Sequence, residues 1–207
     1  VINYLFLAEG TSDQVLIPII NSLIFETLRL SVNVVIPNFN SVRPRPTSLN
    51  SKLNVVNRLY KNIDFLVIHR DADAAGASSR LMEMEQATAC SVPSIPWVPA
   101  IPVKMTEAWL LTDRAAIFKA IGCRRSDKKI TFCPNKRIEG LADPKDYLFQ
   151  KIYEIADLPY RRRKDLNVNL VRRRIGDFIS DSPELRLLPS FRVFEGRLKK
   201  VLHDLYD

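Results

Sequence analysis

The segment Tyr4-Leu5-Phe6-Leu7-Ala8-Glu9-Gly10-Thr11-Ser12-Asp13 joins a strand pattern to a helix pattern. Residues 2–8 form a nearly continuous apolar run, as in a strand buried on both faces of a parallel sheet. The run ends abruptly at Glu9-Gly10. Val15, Leu16, Ile19, Ile20, Leu23 and Ile24 then recur at helical spacing. A carboxylate is thereby placed at the carboxyl end of a strand, facing the mouth of a helix. Ser12 or Asp13 can cap that helix with a side-chain oxygen. Pro18 falls near its first turn, where proline is tolerated. Gly10 is expected to let the backbone turn sharply beside a ligand.

Working outward, residues 31–36 read as a short second strand rich in Val and Ile. Residues 38–51 are polar, with Arg43, Pro44, Arg45 and Pro46, and read as an exposed loop. Leu53, Val56, Leu59 and Tyr60 mark a helix. Residues 63–68 form a third strand that runs into His69-Arg70-Asp71-Ala72-Asp73, and 77–89 read as another helix. Pro93, Pro96, Pro99 and Pro102 recur every third residue. Proline cannot donate to a ladder, so this stretch is an edge strand or an extended polyproline-like segment. A helix is expected over 105–121. From Gly122 the character changes: 123–143 reads as basic loop, and helices are expected over 146–156, 165–180 and 191–206.

Strand–helix alternation up to about residue 121 predicts an α/β fold, a parallel sheet flanked by helices. The expected organisation is a metal-binding domain over 1–121 with a basic, mainly helical extension over 122–207 packed on it. A chain of 207 residues suits that size. No run is long enough to span a membrane and no signal-peptide pattern is present, so a cytoplasmic protein is expected. Val1 in place of Met is read as initiator removal or trimming. Three scattered cysteines and two histidines argue against a zinc site and against disulfides. The net charge of +8, carried mostly by the C-terminal half, suits a polyanionic partner.

Ligands in parallel sheets bind beyond the carboxyl ends of the strands, where Glu9, Asp71 and Asp73 fall. Alternate side chains of Asp71-x-Asp73 point the same way and can reach one ion. Hard oxygen donors of this kind suit Mg²⁺ or Mn²⁺. Asp13 is either a helix cap or a ligand of a second ion. Glu107 is either a favourable first-turn charge on a helix or a further metal ligand. Lys104 is read as a cation near a phosphate or leaving oxygen.

Leu7-Ala8-Glu9-Gly10-Thr11-Ser12-Asp13 followed by Asp71-Ala72-Asp73 resembles the Toprim domain of topoisomerases, bacterial primases and the overcoming-lysogenisation-defect nucleases. Primase-like members carry Glu-Gly-x-x-Asp at this place. Pro102-Val103-Lys104-Met105-Thr106-Glu107-Ala108-Trp109-Leu110-Leu111, with Pro189-Ser190-Phe191-Arg192-x-Phe194, is similar to a small group of uncharacterised bacterial Toprim-like proteins. The resemblance implies a Glu and an Asp-x-Asp around Mg²⁺. It also implies a gene neighbourhood of ABC- or SMC-type ATPases, as in phage defence. A second Asp-x-Asp pair and a catalytic tyrosine motif are lacking, so topoisomerase chemistry is not expected.

The tail carries Arg161-Arg162-Arg163-Lys164 and Arg172-Arg173-Arg174, with Arg124, Arg125, Lys128, Lys129, Lys136 and Arg137 extending the charge. These are read as phosphate contacts or as a solvated face with local ion pairs. Tyr160 beside them is placed to stack on a base. The expected function is a metal-dependent phosphodiester nuclease acting on DNA or RNA. In it Glu9, Asp71 and Asp73 hold the principal ion, Asp13 and Glu107 a second, and Glu9 alternatively serves as general acid or base. Two rivals are a non-catalytic or conditionally active subunit that binds nucleic acid or an ATPase, and a haloacid-dehalogenase-type phosphatase. The second fits less well, because its Asp-x-Asp follows the first strand.

Overall fold

In the computed structural model, which describes residues 1–122, 130–179 and 182–206, the first apolar run becomes β1 (Ile2–Leu7). A 3₁₀ turn over Thr11–Leu16 leads into α1 (Ile17–Leu28), with Pro18 at its start. The alternation continues through β2 (Val32–Val35), α2 (Leu49–Leu59), β3 (Phe65–His69), α3 (Ala77–Ser91) and β4 (Trp97–Ala100). All strand pairings are parallel, in the order β2-β1-β3-β4. The proline-spaced segment is therefore an edge strand, where a missing N–H does least harm. Pro99 stands opposite Ile68.

The sheet is covered on both faces, which is why β1 and β3 read as nearly continuous apolar runs. Leu5, Leu7, Leu66 and Ile68 pack with Leu53 and Val56 of α2 and Met84 of α3. Tyr4, Phe6, Phe65 and Val67 belong to a larger cluster that includes Ile20 and Ile24 of α1. That cluster continues into Ile152, Ile175, Phe194 and Leu202, so the first face of the sheet and the C-terminal helices share one core.

The helix expected over 105–121 is broken in two. α4 (Glu107–Leu110) ends, and Asp113 caps α5 (Arg114–Ile121) by accepting from the Ala116 amide at 2.9 Å. An Asp side chain that bonds the backbone locally competes with helix continuation. Within the region read as loop, α6 (Asn135–Ile138) forms one turn around the buried Ile138. α7 (Pro144–Ala156) starts at Asp143, whose carboxylate accepts from the Asp146 amide at 2.8 Å. A 3₁₀ segment over Tyr160–Asp165, α8 (Val168–Ile179) and α9 (Pro189–Tyr206) complete the helical C-terminal region. Among the described residues no helix is long and apolar enough to cross a membrane.

The motifs around Trp109 and Phe191 form one joint. The Trp109 indole donates to Ser190 Oγ at 2.8 Å, and its ring meets Phe191 edge-on at 5.1 Å and Phe194 at 5.5 Å. Glu139 accepts from the Ser190 amide, tying α9 to the loop after α6.

Candidate functional site

The register Leu7↔Ile68 puts Glu9 level with Arg70 just past the ends of β1 and β3. Period-two alternation then sends Glu9 and Arg70 to the α2–α3 face, and His69 and Asp71 to the other. The contacts agree. Arg70 Nε pairs with Glu9, and Arg70 Nη1 donates to Glu83 of α3 at 2.8 Å. Arg80 bonds the other Glu83 oxygen at 3.1 Å, donates to the Asp71 carbonyl and comes within 3.9 Å of Asp73. Glu9, Arg70, Glu83, Arg80 and Asp73 therefore make one string of alternating charge along the carboxyl edge of the sheet.

The opposite face holds a different group. His69 is buried, with Nε2 2.9 Å from Thr106 Oγ1 and 3.3 Å from Asp71 Oδ1. Thr106 in turn donates to Asp71 at 3.2 Å. Nδ1 faces Asp13 at 3.6 Å, a charge contact too long for a hydrogen bond, and has no hydrogen-bond partner. Burial alone pushes the imidazole down; the carboxylates of Asp13 and Asp71 outweigh it and lift His69 to about 9. Burial pushes the Asp13 carboxyl up, but His69, the Gly10 amide and the Ser12 hydroxyl outweigh it and hold it below the usual carboxylate range.

Asp13 reaches back to the Gly10 amide at 3.0 Å, as in a capping box for the 3₁₀ turn. Gly10 itself is extended, with φ −140°, and a Cβ there would meet nothing nearer than 3.6 Å. The expected glycine-dependent turn is not what this backbone does. Two non-glycine residues beside the site are left-handed: Asp73, at φ 44°, and Lys104, at φ 62°. They are laced together, since the Asp73 amide donates to the Lys104 carbonyl at 3.1 Å, one step beyond the Ala72-to-Pro102 bond. The Lys104 ammonium donates to the Leu141 carbonyl at 2.7 Å, which gives it a structural partner.

Glu107 is 4 % exposed and Arg172 6 %, and they pair at 2.7 Å. Arg172 also donates to the Ser12 carbonyl. One turn later Gly176 lies against Val15: a Cβ on it would fall 2.5 Å from both the Val15 side chain and its carbonyl oxygen. Helix α8 is thus seated on the 3₁₀ turn that carries Asp13, and only glycine permits that approach.

The basic tail divides accordingly. Arg172 is spent on Glu107, whereas Arg173 and Arg174 are exposed. Arg161, Arg162, Arg163 and Lys164 lie exposed on the 3₁₀ segment, with Arg163 over the Tyr153 ring at 5.7 Å. Arg124, Arg125, Lys128 and Lys129, and the Tyr160 side chain, lie outside the described residues.

Among the described residues no group of three or more His, Cys, Asp or Glu side chains is disposed to hold one metal ion. Glu9, Asp71 and Asp73 are hard oxygen donors at adjacent strand ends, so their chemistry fits Mg²⁺ or Mn²⁺. Each nevertheless has a cationic neighbour: Arg70 for Glu9, His69 for Asp71 and Arg80 for Asp73. The residues that sequence reasoning passed over are those neighbours, His69, Arg70 and Arg80, and Glu83, which pairs with both arginines. His69 carried a readable signal, because a histidine closing a buried apolar run needs a partner. No protein-family model, no curated protein and no solved structure matches the chain.

Proposed function

We propose that the protein is a Toprim-like, metal-dependent phosphodiester nuclease acting on DNA or RNA. The observation that carries this reading is the placement of Glu9, Asp71 and Asp73 at the carboxyl ends of β1 and β3, adjacent parallel strands where the strand order reverses. Glu9, Asp71 and Asp73 would hold the ion. When bound, Mg²⁺ or Mn²⁺ supplies Lewis acidity toward a phosphodiester and its attacking water. To turn toward an ion, Glu9 and Asp73 leave Arg70 and Arg80, and both guanidiniums keep Glu83 as their counter-ion. Thr106 and His69 hold the Asp71 carboxylate in place. Asp13 and Glu107 serve the fold: one closes the 3₁₀ turn, the other anchors α8. The exposed arginines of 161–163 and 173–174, with Lys164, would meet the phosphate backbone.

One observation favours a conditional form of this activity. Every candidate ligand already has a cationic neighbour, so the resting protein is in an internally neutralised state. A partner such as an ABC- or SMC-type ATPase, or the nucleic acid itself, would release Glu9 from Arg70.

The test is incubation with plasmid, single-stranded DNA and tRNA in Mg²⁺, Mn²⁺ or EDTA, beside Glu9→Gln and Asp71→Asn. Metal-dependent cleavage lost in both variants is expected. Strand binding without cleavage in any metal would leave a binding subunit. Phosphate release from small esters with strands intact would point to a phosphatase.

A further inference from the structure

Two cavities meet at Glu9. The larger, about 420 Å³, opens beyond the ends of β1 and β2 and is walled by the loop that precedes α2. The smaller, about 200 Å³, is lined by Glu9, Thr47, Lys52 and Arg70. Lys52 borders both. The larger volume lies within the range of small-ligand sites, roughly 300–1,000 Å³.

Its walls are of two kinds. Ile36, Pro37 and Phe39 give an apolar side; Arg45 and Lys52 give a cationic one. Among the described residues the side chains of Arg45 and Lys52 make no hydrogen bond or ion pair. Arg70, Arg80 and Arg172, by contrast, are all engaged by carboxylates. The loop is itself built. Arg43 donates to the Asn40 carbonyl at 2.6 Å and the Val42 carbonyl at 3.0 Å, and the Asn38 amide donates to the Tyr60 hydroxyl at 3.2 Å. Arg70 covers the charge of Glu9, so the two free cations set the local field.

An apolar wall facing two unpaired cations suits a ligand with a flat apolar part and a phosphate. We propose that this cavity receives one unstacked nucleotide of a single strand. Lys52 and Arg45 hold its phosphate, Phe39 packs on its base, and the next phosphodiester lies at Glu9. A base still paired and stacked in a duplex cannot enter a one-nucleotide cavity, so the substrate is single-stranded or frayed. This rests on the nuclease reading of the Glu9 site and narrows its substrate.

The test is fluorescence anisotropy of the full chain in EDTA, where no cleavage occurs. The probes are short labelled oligothymidylate, oligouridylate and a blunt DNA duplex of equal length, with adenosine monophosphate as competitor. The two single strands also separate DNA from RNA. Single strands are expected to bind at least about tenfold more tightly than duplex. Lys52→Ala and Arg45→Ala should each weaken binding and reduce the slope of log K against log salt by about 1. Phe39→Leu keeps an apolar side chain against the core and should weaken binding about tenfold with the slope unchanged. Circular dichroism checks that each variant is folded.

Equal affinity for duplex and single strand overturns the proposal. So do three variants that bind like the parent, or competition by the monophosphate at the oligonucleotide's own concentration range. If the variants lose strand binding while the parent cleaves nothing in Mg²⁺ or Mn²⁺, the cavity stands and the nuclease reading falls. If Glu9→Gln abolishes cleavage while the three variants bind and cleave like the parent, the nuclease stands and the cavity falls.

Discussion

The Glu107–Arg172 pair offers the sharpest test of how the site is built. Both side chains are buried, at 5 % and 7 % exposure, and 65 residues separate them. Removing one partner leaves an uncompensated buried charge, which costs about 3–5 kcal/mol. For Arg172→Met the loss includes the donor to the Ser12 carbonyl, so the 3₁₀ turn carrying Asp13 loosens as well. For a chain of this size the cost corresponds to roughly 6–20 °C in Tm, at about 2–4 °C per kcal/mol. Glu107→Leu and Arg172→Met should each show it in guanidinium or thermal unfolding. The double variant, which buries no charge, should be more stable than either single one, a coupling of more than about 1 kcal/mol. Mg²⁺ titration by calorimetry separates this role from ligation, because Glu107 as a ligand would change metal affinity in a still-stable protein. A single variant that unfolds within about 0.5 kcal/mol of the parent, the range of an ordinary surface change, refutes the reasoning.

Three further outcomes follow from particular contacts. Gly176→Ala drives a methyl into the Val15 backbone at 2.5 Å and should cost about 1–3 kcal/mol in chemical denaturation, with α8 displaced rather than unfolded. Trp109→Phe keeps most of the ring packing but strands Ser190 Oγ, and should cost about 1–3 kcal/mol; full stability in the variant would count against the joint between the two motifs. Glu195 is held by Lys199 at 2.8 Å and Arg186 at 2.9 Å. Burial pushes its carboxyl up, and those two cations outweigh it and depress it below its ordinary 4.5. A depressed acid stabilises the fold above its unfolded value, and that contribution is lost as pH falls through the folded value. Glu195→Gln should therefore be less stable than the parent at pH 7, by about 1–2 kcal/mol, with the gap closing in acid. A gap that stays constant down to strongly acidic pH would refute the assignment.

Much of the architecture was legible in local pattern. The runs at 2–8 and 63–68 are mostly apolar, broken only by Asn3 and Asp64, because both faces of their strands are covered, and the sheet bears that out. The proline spacing at 93–102 left two readings, and the edge position of β4 decided between them. The single helix expected over 105–121 misread Asp113, whose carboxylate caps a new helix more favourably than it continues the old one. The strand-end carboxylates were found for a sound reason, namely that a charge closing a buried run demands compensation.

What compensates those charges was decided only by tertiary structure. Strand register is set by packing between distant segments, and the pairing of Leu7 with Ile68 puts Glu9 on Arg70 and turns Asp71 to His69 on the other face. A one-residue slip would have reversed those faces. Arg172 read as one of three equivalent arginines, yet it alone of the three is buried, on a glutamate 65 positions away. Arg45 read as one charge of an exposed loop and Lys52 carried no reading at all, yet folding brought both to the cavity at Glu9. Local sequence sets which segments are strands and helices, because hydrophobic periodicity is a short-range property of the chain. Which charges are neutralised and which are left for a ligand depends on distances of a few ångströms between segments far apart in sequence, and those exist only once the sheet and the C-terminal helices have packed.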